Sequence, residues 1–141
     1  MNFYLLFTLL VFCFISKQIL PLNQENRCQK FHSGTFIYDS KFGEVIIVRN
    51  KTEDINYRIY PNSYIRTSIR WISPCVAEMR TIEINDTVFS EEEKKKDLNK
   101  QSKMYITQTF PDGYAYRIKE EKKQTIRIGK VKIYKGKLSG D

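Results

Sequence analysis

The sequence predicts an all-β fold, an antiparallel meander of about eight strands that forms a barrel or half-barrel. Three observations carry this. Apolar and polar residues alternate with period two through most of the chain after Cys28. Pro111-Asp112-Gly113 separates two such alternating runs, a hairpin signal. No stretch beyond the first 20 residues carries a long helical repeat. A barrel also removes the exposed edges of an open sheet.

The runs follow in order. Residues 34–39 place Phe36 and Tyr38 on one face. After turn residues at 40–43, residues 44–50 form a β-branched run. In residues 54–60, Ile55, Tyr57 and Ile59 share one side and Asn56 and Arg58 the other, so the first set is expected to face inward. Pro61-Asn62 signals a turn. Residues 64–72 alternate Ile65, Thr67, Ile69 and Trp71 against Arg66, Ser68 and Arg70. Ser73-Pro74 interrupts, and a run over residues 75–84 resumes. Glu78 points to solvent there if Cys75, Ala77 and Met79 form the buried phase. The opposite phase would turn it inward with Val76 and Ile82.

Residues 85–103 hold a block of acids and a block of bases with few apolar residues. Glu91–Lys95 and Glu92–Lys96 have i,i+4 spacing, so a short helical turn competes with a polar loop. Strands are expected again over 103–110 and 114–120. In the last run, residues 124–135, Ile126 and Ile128 are out of phase with Val131 and Ile133. A β-bulge at Gly129-Lys130 would bring all four to one side. A tight turn at the same two residues is the alternative.

The N-terminal end reads differently. Residues 3–15 are apolar or aromatic except for Thr8, a length of about 20 Å as a helix, short of a membrane span. The expected arrangement is a secretory signal over residues 1–22, cleaved at a bond left open, and one domain over residues 23–141. Two features run against a signal: no Lys or Arg precedes the apolar run, and no small-residue cleavage site follows. A buried core helix is the competing reading. Lipid anchoring through Cys13 is disfavoured by the bulky Phe12 before it.

Removing the signal would remove Cys13 and leave Cys28 and Cys75, natural disulfide partners in an oxidising compartment. The formal net charge is +8, with acids spread among the bases, a balance that suits a solvated surface or an anionic envelope component. The first 20 residues contain one charge, Lys17, so the remainder stays basic.

The residues offer little for catalysis. His32 is the only histidine, so no metal set or Cys-His system assembles, and a turn or rim position is expected for it. The acids cluster in Glu91-Glu92-Glu93, a solvated run. No enzyme activity and no cofactor are expected. A barrel of about eight strands can hold one small ligand, and Tyr57, Trp71, Met79, Met104, Tyr114 and Tyr116 are the candidate pocket walls. The same residues at alternate positions would equally serve as core. Arg58, Tyr60, Tyr64, Arg66 and Arg70 form a candidate surface patch of bases and aromatics. Export argues against nucleic acid as its partner.

The stretches CQKFHSGTFIY, IIVRN and SIRWISPCVAEMR, spanning about residues 28–84, resemble small secreted proteins of Bacteroidetes. Their shared features, in order, are a Cys-x2-Phe-x2-Gly-x-Phe opening and a central Trp followed by Cys. The resemblance implies a lipocalin-like, calycin-type barrel and transfers no catalytic residue. The chain departs from ordinary lipocalins in having its Trp mid-chain rather than near the first strand, and in lacking a C-terminal helical pattern. Two functions are therefore expected in competition. One is a monomeric exported binding protein for a small apolar ligand, touching the membrane only through its signal segment. The other is an envelope-associated, inhibitor-like interaction module with a filled core.

Overall fold

The computed structural model describes residues 27–58, 62–122 and 124–137. The expected signal segment, Cys13 and Tyr60 lie outside the described residues. Among the described residues, a 3-10 turn, Gln29–Phe31, precedes eight strands: β1 Gly34–Ser40, β2 Gly43–Arg49, β3 Glu53–Arg58, β4 Ser63–Ser73, β5 Val76–Asn85, β6 Gln101–Phe110, β7 Gly113–Glu120 and β8 Ile126–Ile133. Each pairs antiparallel with its neighbour in sequence, and β8 returns to β1 to close the barrel. The expected all-β barrel is the observed fold, and its closed form replaces the half-barrel.

Between β5 and β6 lies one helix, α1 (Glu91–Asp97), so the polar segment is helical rather than a bare loop. Ser90 starts it with a capping box. Its hydroxyl accepts from the Glu93 N–H at 3.2 Å, and the Glu93 carboxylate accepts from the Ser90 N–H at 2.8 Å. Glu91 pairs with Lys94 at 2.6 Å, one residue short of the i,i+4 spacing expected.

The meander gives the barrel two unlike ends. The β2–β3, β4–β5 and β6–β7 turns gather at one end, and the 3-10 turn plugs it with fully buried Cys28 and Phe31. Cys28 is bonded to Cys75 across this end, with Cα atoms 5.2 Å apart. Lys30 donates to the Phe110 carbonyl at 3.2 Å, and His32 Nε2 donates to the Pro74 carbonyl at 2.8 Å. Phe31, Phe36, Ile69, Ala77, Met104, Ile106, Tyr114 and Val131 form the core above the plug.

Two expectations are corrected. The first is the bulge at Gly129-Lys130: β8 pairs with β7 without a break from Ile126 to Lys132, in one phase throughout. Val131 faces in, while Ile126 and Ile128 face out, 54% and 81% exposed. Gly129 serves packing instead of bulging, because a Cβ there would lie 2.6 Å from the Tyr116 hydroxyl on β7. The register breaks fall elsewhere, at Arg66/Thr67 and Trp71/Ser73 in β4–β5 and at Ile106/Gln108 in β6–β7.

The second correction is the phase of β3. Ile55 and Tyr57 face outward and the polar set faces inward, with Asp54 buried and Asn56 and Arg58 half-buried. The inversion holds because the inward polar groups find partners inside the barrel. Asp54 meets Arg49, and Arg58 meets Asp86 at 3.1 Å. Tyr57 instead packs on Tyr64, with ring centroids 6.0 Å apart on the outer surface.

Candidate functional site

Arg49, the last residue of β2, is a buried charge. Its Nε and Nη2 donate to the two carboxylate oxygens of Asp54 at 2.6 and 2.7 Å. Nη1 donates to the Tyr114 hydroxyl at 2.9 Å and to the Phe31 carbonyl at 3.1 Å, and Nη2 also reaches the Met104 sulfur at 3.9 Å. These five contacts match the five N–H donors of a guanidinium. The aromatic faces of Phe36, Trp71 and Tyr114 lie 5.4, 5.6 and 5.7 Å from its centre. Burial opposes the charge on Arg49, but Tyr114 and Asp54 outweigh it and hold the guanidinium firmly protonated. Arg49 is therefore a tie between the 3-10 plug, β3, β6 and β7, with no donor left for a ligand.

Above this tie the barrel is not filled. A cavity of about 230 Å³ extends toward the α1 end. Its floor includes Ile47, Met104, Tyr114 and Val131, and its walls carry Asn56, Thr67, Thr81 and Ser102 with Ile65, Met79, Ile84 and Ile118. Each wall residue projects inward because alternate strand positions face the axis, and β3, β4, β5 and β6 all present a small polar side chain at that level.

Tyr38 on β1 and Tyr116 on β7 complete the lining, with Arg127 of β8 beside them. Burial pushes both phenols up, and Tyr116 adds to the effect on Tyr38, while Arg127 pulls both back down. Burial pushes Tyr114 up to about 12. The three phenols are thus neutral hydrogen-bonding groups at ordinary pH.

Ion pairs rim the far end. Arg58 holds Asp86 and lies 4.9 Å from the Phe42 ring and 5.6 Å from the Phe89 ring. Lys100 reaches Glu120 at 2.9 Å and Asp97 at 3.4 Å, and Arg127 lies 3.8 Å from Glu120. The charges at the mouth are therefore largely compensated, and the cavity offers mainly uncharged hydroxyl and amide groups.

Of the six candidate pocket residues, Met79, Met104, Tyr114 and Tyr116 line the cavity. Trp71 lies at the plugged end, stacked on the His32 ring at 3.7 Å, and contributes to packing. Tyr57 is a correction: it stands on the outer surface, 37% exposed, because β3 is inverted.

Of the candidate surface patch, Tyr64, Arg66 and Arg70 share the outer face of β4, and Tyr60 lies outside the described residues. Arg58 points inward, Arg66 pairs with Glu83 at 3.0 Å, and Arg70 pairs with Glu78. The Tyr64 hydroxyl donates to Glu83 at 2.6 Å, and this hydrogen bond pushes the phenol up. Glu78 does face outward, between Arg70 and Lys103.

The polar lining residues Asn56, Thr67, Thr81 and Ser102, and the Arg49–Asp54 tie, were not singled out by the sequence. The available signal was the recurrence of a small polar residue in three consecutive runs, Asn56, Thr67 and Thr81, whereas Ser102 fell in the polar segment before the next run. Among the described residues, no group of three or more His, Cys, Asp or Glu could hold a metal, and no helix is long and apolar enough to cross a membrane. No protein-family model matches the chain, and neither the curated proteins nor the solved structures give a match.

Proposed function

We propose that the protein is an exported, lipocalin-like binding protein that holds one small ligand in the upper half of its barrel without transforming it. The cavity carries this reading: about 230 Å³ of interior space lined by hydroxyl, amide and phenol groups above a saturated Arg49. A folded chain of this size ordinarily fills such space with side chains, and ligand sites combine apolar walls with a few convergent polar groups. The sequence alone suggests an apolar ligand. The mixed lining suits a compact amphiphile better, a molecule of modest size with several hydrogen-bonding atoms and little net charge. The Cys28–Cys75 bond is compatible with export. Binding without chemistry is supported by the position of His32, which is held under Trp71 and against Pro74 away from the cavity.

The competing reading, a filled-core interaction module, draws on the solid packing of the plugged half and on a cavity smaller than the roughly 300–1,000 Å³ usual for ligand sites. Native mass spectrometry of protein recovered from the exporting host separates the two. A small organic adduct that leaves on denaturation supports the carrier, as does its loss in Ser102→Leu, where the cavity is partly filled. Protein without an adduct, combined with a higher melting temperature in Ser102→Leu, points to the filled module.

A further inference from the structure

The seam that closes the barrel is short. β8 spans eight residues, yet β1 pairs with it only at Phe36↔Ile133 and Ile37↔Lys132. Among the described residues, Ile126 to Val131 of β8 and Tyr38 to Ser40 of β1 have no ladder partner across the seam. An unpaired edge is a template for another strand.

On the β8 side of that edge the outward side chains have one sign, whereas Asp39 of β1 lies exposed across the seam, opposite Lys130 when the β1–β8 register is extended. Outward positions on β6, β7 and β8 carry Lys103, Arg117, Lys119, Lys130 and Lys132, and the described residues of these three strands put no carboxylate on the outer face. Glu120, the single acid among them, is buried. Two exposed isoleucines lie within the bases: Ile128 beside Arg117 and Ile126 beside Lys119 in the β7–β8 register. Ile128 at 81% is the most exposed large apolar residue among those described.

We propose that the β8 edge docks an extended acidic segment of a partner protein as an added antiparallel strand. The register specifies its pattern. Side chains of the added strand on the outer face would lie beside Lys130, Ile128 and Ile126 in turn, with Lys132 diagonal to the first. The recognised segment therefore runs acid, any, apolar, any, apolar. Lateral hydrogen bonds supply affinity and the alternate side chains supply selectivity. A second copy of this chain fits poorly: pairing β8 with itself about a two-fold would set Ile128 against Lys130 and Ile126 against Lys132, with no acid to meet the bases. An anionic lipid surface would use the bases and isoleucines but leave the unpaired strand edge unused.

The inference is independent of the cavity. Its test is titration of the ¹⁵N-labelled full-length oxidised protein with a capped synthetic peptide reading Glu-Thr-Glu-Thr-Val-Thr-Ile. Amides of Ile126 to Val131 and of Tyr38 to Ser40 are expected to shift and to gain protection from exchange. A peptide with lysines in place of glutamates is expected to bind about tenfold more weakly. Lys130→Glu/Lys132→Glu is expected to reverse that preference, and if this variant fails to fold, the two-peptide comparison on the wild type still decides. The proposal is overturned if β8 amides do not move at about 1 mM peptide, or if both peptides bind equally. It is also overturned if phosphatidylglycerol vesicles bind the same face while the acidic peptide does not.

Discussion

Arg49 and Asp54 meet end-on inside the barrel, with Nε–Oδ1 and Nη2–Oδ2 distances of 2.6 and 2.7 Å and both side chains almost without solvent contact. The two residues stand opposite each other in the β2–β3 register, so a five-residue separation in sequence becomes a cross-strand ion pair. Their geometry is bidentate, and the remaining guanidinium donors are used by Tyr114, Phe31 and Met104.

Removing one partner leaves the other charged and buried. Asp54→Ala is therefore expected to destabilise the barrel by about 3–5 kcal/mol, read as a shift in the urea midpoint. Replacing both, as Arg49→Met/Asp54→Leu, is expected to cost markedly less than the single change, because no uncompensated charge remains. A single change within about 0.5 kcal/mol of wild type would show that the pair does not hold the plugged end.

The Cys28–Cys75 bond ties the 3-10 plug to the β4–β5 turn across 47 residues of sequence. Cys28→Ser/Cys75→Ser is expected to lose about 3–4 kcal/mol by the loop-closure argument. Because Phe31 and the Phe31 carbonyl contact to Arg49 depend on the same plug, proteolysis near residues 28–33 should accelerate first. Equal urea midpoints with and without reductant would overturn this.

Alkaline stability follows from the buried phenols. Tyr38, Tyr114 and Tyr116 all have pKa values raised in the fold, Tyr114 to about 12. Above the unfolded tyrosine value, the unfolded chain loses protons that the folded chain keeps, so stability falls as pH rises. The contribution is complete below about pH 10 and declines between about pH 10 and 12. For Tyr114 alone it amounts to about 2–3 kcal/mol. Melting temperature is expected to fall over that window, with a shallower fall in Tyr114→Phe. An identical pH slope in the variant would refute the assignment.

Gly129 and Tyr116 are directly opposed on β8 and β7. Gly129→Ala would put a Cβ 2.6 Å from the Tyr116 hydroxyl and 2.7 Å from its ring, a clash expected to cost about 1–3 kcal/mol. Tyr116→Leu should recover most of that cost in a double-mutant cycle, since the obstacle is a side chain. Gly113→Ala has no such remedy, because its Cβ would meet the Val131 carbonyl oxygen at 2.0 Å. Strict additivity at Gly129 and Tyr116 would sink this account.

The candidate site was only partly legible beforehand. Met79, Met104, Tyr114 and Tyr116 were readable as inward residues, because large side chains at alternate positions in an otherwise plain strand point to a common face. Tyr57 misled, since its neighbours Asp54 and Arg58 gain interior partners that lie on other strands. Periodicity reports that two faces differ; the side on which the barrel axis falls depends on what the neighbouring strands present there.

The sequence by itself determined the strand count and the hairpins, which depend on local alternation and turn chemistry. With three cysteines in the chain, the Cys28–Cys75 bond is fixed by where the fold brings them. Tertiary structure alone decided that the seam between β1 and β8 stays short, that β3 turns its polar face inward, and that a space remains above Arg49. Each of those follows from contacts between residues distant in the chain, where burial is decided by whether a charge or hydroxyl finds its partner once the barrel has closed.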